Sequence, residues 1–233
     1  MRTMLLAAGL GTRLRPLTDH TPKCLAPILG RPLMALWFDL LFDGGIERVL
    51  VNTSYLAEQV QAFVAASPWR DRVDLVHETE LLGTGGTLLT NRSWFGDEAF
   101  MVAHGDNLSR FDVASFIERH RRRPAGCAIT MMTFDTDTPQ SCGIVEENAD
   151  GVVVAFHEKV ANPPGRRANG AVYIFEPEVL TFMVGLNKPF VDLSTEVLPA
   201  FMGRICSWHN ADYHRDIGTP ESLAAAQLDF HAV

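Results

Sequence analysis

An apolar run, Met4 to Ala8, opens directly into a glycine-bearing loop that carries Arg13, Arg15 and Lys23 and almost no acid. The run reads as a buried strand. Glycine lets the backbone after it approach an anion closely and point successive N–H groups at it, while Arg adds a planar fork and Lys a compact charge. A loop of this kind suits a polyphosphate. Its spacing excludes two common phosphate loops: Gly9-x-Gly11 is followed by Leu14 where a dinucleotide fold needs its third glycine, and no Gly-Lys-Ser/Thr occurs anywhere.

The rest of the first half alternates strand-like and helix-like stretches. Pro32 opens an apolar helix through Leu41, stopped by Gly44-Gly45; Arg48 to Asn52 reads as a strand, Leu56 to Ala66 as a helix, Val73 to His77 and Ala99 to Ala103 as further strands. Strands separated by such helices predict an α/β fold with a doubly wound, mostly parallel sheet that binds ligands at the carboxyl ends of its strands. The loop after the first strand, Leu82 to Thr87 after the third and His104-Gly105-Asp106 after the fourth are expected on that edge. In the second half, short strands (Cys127 to Thr133, Gly143 to Glu146, Val152 to His157, Ala171 to Phe175) follow one another with turns between them. Helices are scarce there until Glu178 and Thr195, and a last one runs from Pro220 through Leu228. Mixed or antiparallel pairing in a small subdomain is expected here.

At 233 residues with 47% hydrophobic content the chain can bury a proper core, and it reads as a single domain over residues 1–233. A net charge of −8 argues against a nucleic-acid partner. No apolar stretch approaches a membrane span and no signal-peptide pattern precedes the first strand, so a cytoplasmic protein without a membrane partner is expected. Cys24, Cys127, Cys142 and Cys206 show no paired spacing and read as free, mostly buried thiols. Among 20 cations only three are lysines, and two of these, Lys23 and Lys159, fall in the motifs below. The basic run Arg119 and Arg121 to Arg123 ends an amphipathic helix, reads as a solvated face and is given no function.

Residues 6–18 read Leu-x-x-Gly-x-Gly-Thr-Arg-Leu-x-Pro-Leu-Thr, and Pro22-Lys23 follows. This signature resembles that of the sugar-1-phosphate nucleotidyltransferases, and the likeness extends from Leu5 to the helix after Thr219. It implies a Rossmann-like, GT-A-like nucleotidyltransferase fold with a mixed sheet, a nucleotide-binding half over residues 1–123 and a sugar-phosphate-binding half over residues 124–233. By the same resemblance Arg13 and Lys23 contact the nucleotide phosphates and carry catalysis, and Leu6, Ala8, Gly9, Gly11 and Thr12 line the nucleotide site. Asp106, after a strand and a glycine, and Asp216, in an Asp-x-Gly-Thr-Pro stretch, match the positions that hold the catalytic Mg2+. Asp106 would also meet the substrate. Phe156-His157-Glu158-Lys159 and Asn169-Gly170-Ala171-Val172-Tyr173 resemble the sugar-phosphate segments: Glu158 would accept from sugar hydroxyls, Lys159 bind the phosphate and Asn169 contact the sugar. Two departures stand out. The glycine follows Asn169 directly rather than lying one residue later, and Val160 replaces the proline usual after Glu-Lys. Glu80, Gly83 and Gly85, in Glu-Leu-Leu-Gly-Thr-Gly-Gly, are expected at the base, in a form similar to guanylyl and uridylyl members. From the residues alone, Arg13 could equally be an exposed loop arginine, Arg15 faces solvent as readily as ligand, Asp216 could be a turn or helix cap, and Glu158-Lys159 a surface pair.

The activity this resemblance implies joins a nucleoside triphosphate to a sugar 1-phosphate with release of pyrophosphate. GTP with a manno-configured heptose or hexose comes first, UTP with an amino-sugar phosphate such as N-acetylmuramic acid 1-phosphate second. A phosphocholine cytidylyltransferase and a non-catalytic nucleotide-sugar-binding regulator are the other readings; the presence of Arg13, Lys23, Asp106 and Asp216 weighs against the last. The chain leaves no room for the β-helix or tail of larger relatives, so acetyl transfer is not expected, and a monomer or homodimer is.

Overall fold

The opening apolar run is a strand over Arg2–Leu6 in the computed structural model, which describes residues 1–230. It ends before the expected Ala8 because Ala7 leaves the ladder: its N–H donates to Asn52 Oδ1 at 2.7 Å. The strand pairs in parallel with Arg48–Thr53, which pairs in parallel with Val73–His77. Helices Leu33–Asp43 and Ala57–Ala66 connect them. The first buries Leu33, Met34, Trp37, Phe38 and Leu41, and Phe38 packs against Phe42, Phe63 and Trp69. Burying a side chain such as Phe38 contributes about 2–3 kcal/mol. These elements belong to a unit made of residues 1–81, 103–113 and the segment from Asp212 onward.

In the same unit, Asn107–Arg110 pairs antiparallel with Tyr213–Asp216, in a register that sets Asp216 opposite Asn107. The indole N–H of Trp37 donates to Asn107 O at 2.8 Å and fixes this ribbon to the first helix. Thr219 caps the helix Pro220–Asp229 reciprocally with Ser222, and Pro220 takes its first turn. A Gln227 carboxamide clasps the small Pro27–Ile28 and Arg31–Pro32 hairpin, accepting from Leu29 N–H and donating to Pro27 O.

The second unit comprises residues 82–102 and 114–211. Its strands lie in the order Arg167–Phe175, Ile129–Asp135, Ile205–His209, Val152–Glu158, Gly143–Glu147. Ile205–His209 runs parallel to Ile129–Asp135, and the other neighbours are antiparallel. The fold class is therefore α/β with mixed pairing, as expected. The stretch from Leu82 to Thr87, for which no element was read, lies mostly in a helix, Gly83–Thr90. Its glycines answer to packing. A Cβ at Gly86 would lie 2.3 Å from Pro189 O, and one at Gly85 2.7 Å from Val191 Cγ1. The N–H groups of Gly85 and Gly86 both donate to Val191 O. The helix expected at Thr195 is a π turn, Leu193–Val197, capped by Asp192.

The basic run is more than a solvated face. Arg121 and Arg122 pair with Glu118 at the surface, whereas Arg119 donates to the carbonyls of Ser207 and Asp150, and Arg123 binds Cys127 O and the Glu176 carboxylate. All four cysteines are free; Cys24, Cys127 and Cys206 are buried and Cys142 is partly so. Among the described residues no helix is long and apolar enough to cross a membrane.

Candidate functional site

Three short helical turns, Thr12–Leu14, Leu17–Asp19 and Lys23–Leu25, wind the basic loop onto itself. Gly11 starts the winding at φ 61, where a Cβ would lie 2.9 Å from Thr18 Cγ2; the Thr18 hydroxyl donates to Gly11 O at 2.8 Å. Leu14, at 1% exposed, anchors the loop in the core and leaves Thr12 and Arg13 outside. Ala8 is buried behind it and Gly9 lies exposed with open space around it. Arg15 pairs with Asp19 at 3.1 Å on the surface.

Lys23 faces inward. Its side chain is 5% exposed, and its ammonium donates to Asp106 Oδ2 at 2.9 Å and to Asp216 Oδ1 at 3.1 Å. Arg13, 69% exposed, reaches the other oxygen of Asp216 at 3.4 Å. Four residues expected at the phosphate and metal end of the site, Arg13, Lys23, Asp106 and Asp216, are thus brought together within one unit, on the loop and at one end of the antiparallel ribbon, where Asp216 lies opposite Asn107. Burial works against the Asp106 charge, but the Lys23 ammonium, with His104 and the Lys23 hydrogen bond, holds its carboxyl below the usual carboxylate range. The neighbouring Cys24 thiol is pushed up to about 12 by burial and is inert at neutral pH.

One residue that makes this cluster possible was not singled out from the sequence. A Cβ at Gly218 would lie 2.8 Å from both Arg13 Nη2 and Asp216 Oδ1. The glycine of the Asp-x-Gly-Thr-Pro stretch therefore leaves room for a guanidinium and a carboxylate over its backbone. Glu80, expected at the base, is exposed at the end of this unit's third strand segment.

The second unit carries the other expected group. Glu158 ends the strand Val152–Glu158 opposite Gly143. A Cβ at Gly143 would lie 2.7 Å from Glu158 Oε2 and 2.5 Å from Phe156 Cζ, so this glycine, also unread in the sequence, lets the carboxylate lie flat on the neighbouring strand. Lys159 follows in the left-handed region at φ 49, with its N–H on Cys142 O and its ammonium 3.3 Å from Glu158 Oε1. Asn169 binds within its own strand: its Oδ1 accepts from Ala171 N–H at 3.0 Å and its Nδ2 donates to the Tyr173 hydroxyl at 2.7 Å. The expected base residues Gly83 and Gly85 sit in the first turn of the helix described above; Gly83 is half-buried and Gly85 fully so.

Charge and donor type decide what the first cluster can hold. Lys23 and Arg13 balance the two carboxylates as they stand, so a metal would sit there together with phosphates that take up the two cations. The carboxylate oxygens are the hard donors that magnesium takes. Among the described residues no three His, Cys, Asp or Glu side chains gather as a metal cage. A two-carboxylate set suits an ion that completes its shell with water and substrate phosphates, and the residues present fit such a group.

The nucleotidyl transferase family profile matches residues 2–232. The chain is 32% identical over 231 residues to the mannose-1-phosphate guanylyltransferase of Mycobacterium tuberculosis, covering 97% of this chain and 63% of that protein. It is 33% identical over 213 residues to the UTP–glucose-1-phosphate uridylyltransferase of Synechocystis, covering 85% of this chain and 54% of that one. The chain thus spans less than two thirds of the length of these relatives. The crystal structure of HddC from Yersinia pseudotuberculosis is similar with a TM-score of 0.80 at 26% identity, covering 98% of this chain and 99% of that chain. A putative glucose-1-phosphate thymidylyltransferase from Bacillus anthracis shares the fold, with a TM-score of 0.84 at 20% identity over 98% of this chain and 94% of that one.

Proposed function

The chain belongs to the nucleotidyl transferase family, and from that premise we propose that it joins a nucleoside triphosphate to a sugar 1-phosphate, releasing pyrophosphate. The observation that carries the proposal is the Lys23 ammonium held between Asp106 and Asp216 inside the glycine loop, with Arg13 on the outer oxygen of Asp216. A phosphate oxygen of the sugar phosphate attacks the α-phosphorus; the new P–O bond forms as the bond to the β-phosphate breaks and its electron pair leaves with pyrophosphate. The nucleophile is ionised at neutral pH, so no general base is needed, and the protein positions and neutralises.

Lys23 and Arg13 bind the triphosphate and offset charge that builds on the leaving pyrophosphate. Asp106 and Asp216 would hold magnesium, which when bound neutralises phosphate oxygens and orients the α-phosphate. Asp106 has the further role of meeting the substrate. Leu6, Ala8, Gly9, Gly11, Thr12, Glu80, Gly83 and Gly85 serve the nucleotide, and Glu158, Lys159 and the Asn169 to Tyr173 segment serve the sugar phosphate. GTP with a manno-configured sugar phosphate is our first assignment, supported by the guanylyltransferase relative. UTP is the second, because a uridylyltransferase is similar to the same degree. A cytoplasmic reaction is part of the same proposal.

Pyrophosphate release tests this, with magnesium, the four ribonucleoside triphosphates and dTTP against mannose, glucose, manno-heptose and N-acetylmuramic acid 1-phosphates. Release with GTP and a manno-configured sugar is expected. Release with UTP or CTP alone keeps the reaction and overturns the base. No release with any pair overturns the activity.

A further inference from the structure

We infer that Asn169 is a positioning residue: it clamps a bulge that holds Ala171 in the left-handed region and fixes the Tyr173 hydroxyl by a hydrogen bond. The inference rests on reading Glu158, Lys159 and this strand as the sugar-phosphate side of the site.

Strand Arg167–Phe175 loses register with Ile129–Asp135 between two fixed pairs, Asn169 opposite Thr133 and Tyr173 opposite Met131. Residues 170–172 therefore face Met132 alone. The extra chain has to fold back, and the first residue of it lies so close to Met132 that a Cβ would sit 2.6 Å from Met132 Cε and 3.1 Å from Met132 O. A side chain there would have to displace the Met132 methyl and crowd its carbonyl, which Gly170 avoids. The turn itself falls one residue later, on Ala171 at φ 52. This conformation strains a residue that carries a Cβ and persists where the surroundings hold it. Glycine is thus one place too early to relieve the turn.

The Asn169 carboxamide is what holds it. Its Oδ1 accepts from the Ala171 N–H at 3.0 Å and its Nδ2 donates to the Tyr173 hydroxyl at 2.7 Å. With one bond at each end the amide plane is fixed on the chain itself. Tyr173 is fully buried and stacks on Phe175 with centroids 5.4 Å apart. Burial pushes its phenol up, the Asn169 bond pulls it back, and the negative charge of Glu158 raises it again. Gly143 underlies that carboxylate from the neighbouring strand. Asn169 thus acts through Ala171 and Tyr173, and the sugar meets the surface that the clamp shapes.

A cycle of Asn169→Ala, Ala171→Gly and the double variant separates a clamp from a ligand. With the nucleotide saturating, Asn169→Ala is expected to raise KM for the sugar 1-phosphate about tenfold, the effect of one lost buried hydrogen bond, without moving KM for the nucleotide. Ala171→Gly in the same chain is expected to restore most of that loss, since glycine takes φ 52 unaided. Equal loss in the single and double variants overturns the clamp, because no backbone change replaces a missing sugar contact. Thermal midpoints read the same cycle without turnover: Asn169→Ala lowers the midpoint and Ala171→Gly recovers it, whereas additive shifts overturn the inference. If the wild type releases no pyrophosphate with any pair, the activity proposed above fails and the thermal cycle still decides the clamp. If Asn169→Ala does not fold, recovery of folded protein on adding Ala171→Gly supports the clamp, and no recovery overturns it.

Discussion

At the scale of single residues the cluster around Lys23 is a charge-balanced knot: one buried ammonium, one exposed guanidinium and two half-exposed carboxylates. Lys23→Met and Asp106→Asn are each expected to lower pyrophosphate release about a hundredfold or more, with circular dichroism unchanged. Near-normal turnover in either variant would remove that residue from the mechanism. Gly218→Ala belongs to the same prediction, because its methyl would enter the space of Arg13 and Asp216. A displacement of that kind in a positioned cluster is expected to cost at least about tenfold in rate while the core stays intact. The loop and its two carboxylates were legible in the sequence because each sits in a motif whose spacing is itself the signal. Gly143 was not, since its reason is the Glu158 side chain on the neighbouring strand, and nothing local announces that.

Strands of the first half were read where they lie, and several later ones were not. Arg48–Thr53 and Val73–His77 appear where the apolar runs put them. The ribbon of Asn107–Arg110 and Tyr213–Asp216 was missed as a pair, because both strands are short and polar and meet only through the fold. Ile205–His209 was missed although it is as long as Val73–His77, and its Cys206-Ser207 centre breaks the apolar run. The helix Gly83–Thr90 was not read from the sequence because glycines ordinarily punctuate loops, whereas here they admit the Pro189 to Val191 backbone against a helix. That account makes a paired prediction for thermal unfolding. Gly86→Ala is expected to destabilise by about 1–3 kcal/mol, since the Cβ meets the rigid Pro189 carbonyl. Gly185→Ala, at the end of the helix Pro177–Gly185 with open space around it, is expected to stabilise by about 0.5–1 kcal/mol. Equal shifts in the two variants would refute the packing account.

For the molecule as a whole, acid stability is governed in part by two histidines that the fold keeps neutral. His120, bonded to Thr130 Oγ1 and Glu176 Oε1, is pushed down to about 4 by burial and then by Arg123, against the pull of Glu176. His214, against the Ser109 hydroxyl, is pushed down to about 4, chiefly by burial. Below about pH 6.5 the unfolded chain takes up protons that the folded chain refuses, so stability is full above that value and falls toward pH 4. For His120 the slope is at most about 1.4 kcal/mol per pH unit. Thermal midpoints measured from pH 7.5 to 4.5 should fall through this window, and less steeply in His120→Gln; an unchanged slope in that variant would exclude His120 as a cause. The order of synthesis adds a different constraint. The unit that carries Lys23 is assembled from three separate stretches of chain, and the last of them brings Asp216 only after residues 114–211 have been made. A growing polypeptide released before that point holds a basic loop with one of its two counter-ions missing. A chain interrupted inside the second unit therefore never acquires the carboxylate that pairs with both Lys23 and Arg13.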